Sequence, residues 1–149
     1  MRITSSVEYA SRLMVSLARS HGTAAVTGER LAIAENVPAD YVNQLLWRLR
    51  RAGLVGSTRG VGGGYLLSRH PREITLGQVI RAVDGAVFEG VCGKYDAGEK
   101  DCRHQAQCGI SAVWTGLVRT VEEYVDGIAL ERLAEESVPG RLGEDVIVT

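Results

Sequence analysis

The chain has 149 residues, 17 lysines and arginines, 18 carboxylates and a net charge of −1, enough for one buried core with an added element. It holds no run of about 18 apolar residues that could span a bilayer. Its first residues, Met1-Arg2-Ile3-Thr4-Ser5, lack the apolar stretch of a secretory signal. An odd set of three cysteines then argues against a disulfide scaffold and for a reducing, cytoplasmic setting.

The near-neutral total hides an asymmetry. Residues 1–81 carry 11 arginines against 5 carboxylates, and residues 82–149 carry the other 6 basic residues against 13 carboxylates. A basic half joined to an acidic half suggests that the first meets a polyanion.

In chain order, a first helix is expected from Ser5. Ser5 and Glu8 have capping-box spacing, and Val7, Ala10, Met14 and Leu17 recur at steps of three and four. His21-Gly22 ends it. A second, short helix begins near Thr27, turns Leu31, Ala32 and Ala34 inward and stops at Asn36-Val37-Pro38. A third runs from about Pro38 to Ala52. Its inner stripe is Val42, Leu45, Leu46 and Leu49, and its outer side holds Asp40, Gln44, Trp47 and Arg51, flanked by Asn43 and Arg48. Short helix, tight turn and longer helix make the helix-turn-helix pattern.

Two short strands follow, Leu54-Val55-Gly56-Ser57-Thr58 and Tyr65-Leu66-Leu67-Ser68-Arg69, joined by Arg59-Gly60-Val61-Gly62-Gly63-Gly64. Placed directly after the third helix, they read as a β-hairpin wing. The glycine run lacks nucleotide-loop spacing and leads into a strand rather than a helix. Thr75-Leu76-Gly77-Gln78 is another capping box and opens a helix through Val79, Ile80 and Val83. Ile110, Trp114, Leu117, Val121, Tyr124 and Ile128 then form a narrow seam on a long helix expected to reach about Glu136 and to pair with a copy of itself. The division expected is a winged DNA-binding domain over residues 1–84, a cysteine-bearing loop over 85–109, a dimerisation helix over 110–136 and a loose tail over 137–149. The fold class is mainly α with a small β-hairpin wing.

The pattern Val37-Pro38-x-x-Tyr41, Leu45-Leu46-x-x-Leu49, Ala52-Gly53-Leu54-Val55, Arg59-Gly60-x-Gly62-Gly63-Gly64-Tyr65, Ile74-Thr75-Leu76 and Ala82-Val83-Asp84-Gly85 resembles one family. It is that of the iron–sulfur and nitric-oxide-responsive winged-helix regulators typified by IscR, NsrR and RirA. The likeness extends from Met1-Arg2-Ile3-Thr4 through Cys92, Cys102 and Cys108 to the last long helix.

What the resemblance implies is a homodimer that binds double-stranded DNA and carries an iron–sulfur cluster on Cys92, Cys102 and Cys108, with two irons favoured over four. Thiolates are the usual protein ligands of such clusters, and a fourth ligand normally completes the site. Where IscR-like members place a histidine three residues after the third cysteine, this chain has Ser111. NsrR-like members use an acidic residue near the start of the first helix, donated by the partner, and Glu8 occupies that place here. Glu8 is therefore the favoured fourth ligand, with a bare capping role as its alternative and His104 as the competing ligand. Nine residues separate Cys92 from Cys102 and five separate Cys102 from Cys108, a first gap longer than is common in the family. A zinc site, a thiol switch and inert thiols are the other readings of the triplet.

For DNA, the third helix is expected in the major groove and the wing against an adjacent groove or the backbone. Asn43 and Gln44 are placed for base edges, Arg59 for a minor groove or phosphate, and Thr27 for a phosphate at a helix start. Arg48, Arg50 and Arg51 are expected on phosphates, Tyr41 is expected to pack at the helix edge with its hydroxyl on a phosphate, and Trp47 is expected to be partly buried. The function expected is a regulator, a repressor by preference, that senses cluster status, redox state or nitric oxide. The alternative is a cofactor-free or zinc-bound regulator switched by thiol oxidation or a protein partner. The three histidines form no Ser/His/Asp or Cys/His constellation, so no enzyme is expected.

Overall fold

The computed structural model describes residues 3–87 and 108–136. Helix α1 (Ser5–Arg19) begins at Ser5 as expected, but Ser5 is not its cap. Thr4, in extended conformation, is its N-cap, and the Thr4 hydroxyl accepts from the Val7 amide at 3.2 Å. Ser5 is already helical. Glu8 consequently lies one position beyond the residue that could bond back to the cap, and its amide donates to the Thr4 carbonyl.

Helix α2 (Gly28–Glu35) is capped by Thr27, and Asn36 ends it in the left-handed conformation at φ 52°. Leu31 and Ala32 turn inward as expected, whereas Ala34 stays exposed. Pro38 pre-sets the entry to α3 (Ala39–Arg51). Val42, Leu45, Leu46 and Leu49 on α3 have no exposed surface, nor do Ala10, Leu13 and Met14 on α1 or Leu31 on α2. They form one apolar cluster with Ile74, Val79 and Leu130, each large side chain contributing about 1.5–3 kcal/mol by leaving water.

Strands β1 (Val55–Thr58) and β2 (Gly64–Leu67) pair antiparallel, with Val55 opposite Leu67 and Thr58 opposite Gly64. The hairpin is tied down through Val26, which exchanges backbone hydrogen bonds with Tyr65 at 2.9 and 2.8 Å. Gly64 is required there, because an added Cβ would lie 2.6 Å from the Val26 carbonyl. After a 3₁₀ turn (Pro71–Glu73), the Thr75–Gln78 capping box starts α4 (Leu76–Asp84) with both reciprocal bonds present.

The last helical region departs from one continuous rod. Helix α5 (Gly109–Asp126) stops, and α6 (Leu130–Glu136) packs back on α1. Between them Gly127 turns and Ala129 forms an isolated antiparallel bridge with Thr75. The Leu76 amide donates to Ile128 and the Leu130 amide donates to Ile74, both at 2.9 Å. A continuous helix would use those groups within itself, so this pairing accounts for the break. Asp126 is held beside it by Arg81 and Thr75. Gly77 leaves the room: a Cβ there would strike the Asp126 carboxylate.

Candidate DNA interface and cysteine site

The outer surface of α3 is open. Asp40, Asn43, Gln44, Trp47 and Arg51 are exposed, in the three- and four-residue rhythm of one helix face. Trp47 is 60% exposed rather than partly buried, and the Arg51 guanidinium lies over its ring, 5.4 Å from the centroid, an aromatic and a cation presented together. Gly28 at the start of α2 lets α3 come close, since a Cβ there would stand 3.0 Å from Asn43 Oδ1. Thr27 spends its acceptor on the Arg30 amide at 3.2 Å, leaving its hydroxyl proton to donate outward. Arg59 is exposed in the turn of the wing, where Gly60 and Gly62 adopt positive φ.

Two residues expected on DNA make hydrogen bonds within the protein. Tyr41 is half-buried, its hydroxyl 2.9 Å from Ser6 Oγ on α1 and its ring edge-on to Tyr9. Arg48 sends Nη1 to the backbone carbonyl of Val83, at 3.0 Å, near the end of α4. No local sequence signal marks either contact, because both partners lie 35 residues away.

Of the cysteines, Cys92 and Cys102 lie outside the described residues, as does His104. Cys108 is half-buried at the N-cap position of α5, with no side-chain capping bond and no disulfide. The positive end of the helix faces it. Ser111, at the position where the resemblance implies a histidine, donates its amide to the Cys108 carbonyl at 3.2 Å. Glu8 is exposed, and among the described residues its carboxylate has no hydrogen bond or ion pair. It borders a groove of about 670 Å³ whose walls include Val7, Ile80, Val121 and Val125. Val87, just before the cysteine stretch, borders the same groove. Among the described residues no three His, Cys, Asp or Glu side chains gather as a metal site. Of the two described members of the expected ligand set, the Cys108 thiol is the usual kind of iron–sulfur ligand and the Glu8 carboxylate is an oxygen donor left unengaged.

The family model described as Rrf2, iron-dependent transcriptional regulator, matches residues 3–136. The chain belongs to the Rrf2 family of transcriptional regulators. It is 35% identical to IscR of Aliivibrio salmonicida, over 89% of this chain and 77% of that one. Its fold is similar to CymR, the global cysteine regulator of B. subtilis, with a TM-score of 0.75 and 30% identity across 93% of this chain and 99% of that one. T. potens IscR matches at a TM-score of 0.71 and 27% identity across 97% and 94%. These relatives are regulators rather than enzymes. The molecule is thus a winged-helix, DNA-binding Rrf2 regulator, mainly helical with a two-stranded wing. No helix among its described residues is long and apolar enough to cross a membrane.

Proposed function

We propose that this Rrf2 regulator is a cytoplasmic homodimer whose hold on operator DNA responds to an iron–sulfur cluster, a two-iron cluster by preference. Cys92, Cys102 and Cys108 of one protomer and Glu8 of the partner subunit would hold it. The observation that carries this reading is Glu8: displaced from the capping box, it has no structural partner among the described residues and borders an apolar groove. An exposed carboxylate beside such a groove is suited to a ligand from outside its own helix. When bound, the cluster supplies a centre sensitive to oxidation and nitric oxide.

The chain's own residues do the rest. Asn43 and Gln44 face base edges in the major groove, Arg51 and Arg59 take phosphates or a minor groove, and Thr27 holds a phosphate at the start of α2. The two-fold axis runs along α5. Ile110, Val113, Trp114 and Leu117 on its first turns are 56%, 61%, 44% and 38% exposed, an apolar face that a second copy would cover.

Anaerobically purified protein is expected to be coloured and to contain iron and sulfide, and Glu8→Ala to lose both faster in air. A colourless, iron-free preparation refutes the cluster. A second reading, thiol oxidation without a cluster, is supported by the likeness to Staphylococcus aureus CymR, a structure of which is of an oxidized form. In that case colourless protein would still change its operator affinity on treatment with peroxide.

A further inference from the structure

Two polar braces join the reading helix to the first turn of α1. The first is direct, from the Tyr41 hydroxyl to Ser6 Oγ at 2.9 Å. The second has two steps. Arg48 donates to the Val83 carbonyl at 3.0 Å, and the adjacent Asp84 accepts from Thr4 Oγ1 at 2.7 Å. Thr4 caps α1, Ser6 is in its first turn, and Glu8 follows at once. The guanidinium of Arg48 also suits the negative end of α4, where it replaces a missing helical donor.

Tyr41 and Arg48 are seven residues apart, about 10 Å along α3 and two turns on, so they leave the helix on the same side. One fastening fixes a position. Two separated by that distance also fix tilt. Helices α1 and α3 both contribute apolar side chains to one buried cluster, whose attraction has little directional preference. Hydrogen bonds with defined geometry set the register that such a surface leaves loose.

We propose that Tyr41 and Arg48 are positioning residues rather than DNA ligands. They clamp the reading helix to the first turn of α1 and the end of α4. A displacement of the turn that bears Glu8 is thereby passed to the face that reads DNA. The transmission rests on the cluster reading above; the clamp does not.

The test uses full-length protein in whichever form, metal-free or cluster-loaded, binds operator more tightly. Affinity is measured by fluorescence anisotropy at several salt concentrations for Ser6→Ala, Tyr41→Phe, their double variant and Arg48→Gln, with melting temperatures to verify folding. Ser6→Ala and Tyr41→Phe should each weaken binding about three- to tenfold, and the double variant no more than either, because both remove one bond. Arg48→Gln should weaken binding with the salt slope unchanged, whereas loss of a phosphate ligand lowers that slope by about one.

A Ser6→Ala variant that binds like wild type would overturn the clamp, and so would a lowered slope for Arg48→Gln. Transmission is read separately, in protein whose colour shows the cluster. There the S6A/R48Q variant should lose most of the affinity difference between loaded and stripped forms. A difference kept in full refutes transmission while leaving the clamp intact.

Discussion

Helices α3 and α5 are both amphipathic, at 13 and 18 residues, yet they stand differently in the molecule. The apolar stripe of α3 is wholly enclosed by α1, α2 and α4, and only its polar face meets solvent. On α5, Val125 alone is buried, while four large apolar side chains of the first turns are open. An apolar stripe shows that a surface needs cover, without saying whether the cover is the same chain or another. The reading head supplies its own cover. Helix α5 leaves its first turns uncovered among the described residues, the face assigned above to a second copy.

The contrast breaks most visibly at Leu49. Leu49→Ala should lower stability by about 2–5 kcal/mol, read by chemical denaturation, because the cavity lies in an enclosed core. Leu117→Ala, of the same chemistry on α5, should leave the unfolding of the reading head unchanged and instead raise the dimer dissociation constant in sedimentation. Equal destabilisation by the two would erase the distinction.

Gly64→Ala should cost about 1–3 kcal/mol, since the added methyl group strikes the Val26 backbone, and should weaken DNA binding by loosening the wing. Thr75→Ala should cost about 1 kcal/mol through loss of the capping box, with DNA binding nearly intact. The smallest effect on stability belongs to Arg59→Ala. It should leave melting unchanged, weaken all DNA sequences alike and lower the salt slope by about one.

The reading head was legible in the sequence wherever the signal was local. The stripe of α3 repeats at helical steps, the wing glycines sit between two strands, and Thr75 and Gln78 have the spacing of their reciprocal bonds. The start of α1 at Ser5 was legible but its cap was not, because Thr4, Ser5 and Ser6 all carry hydroxyls that can cap, and Ser5 alone has an acid at the right spacing. The break after Asp126 was hidden for another reason. Ile128 continues the seam, and the backbone that captures it lies at Ile74 and Leu76, far away in sequence. Separation along the chain also concealed the partners of Tyr41, whose packing at the helix edge was expected but not its bond to Ser6, and of Arg48, which looked like a surface group on an outward-facing helix. Cys108 and Glu8 could be named as candidates from spacing and resemblance, but the freedom of Glu8 from its capping role is a tertiary fact.

The most direct test of the central claim is an anaerobic operator titration before and after chelation, with visible absorbance followed in the same sample. Removing iron should abolish the colour and change the operator affinity or its sequence preference by about tenfold, a coupling of roughly 1.4 kcal/mol. Loss of colour with affinity and preference both unchanged would contradict it.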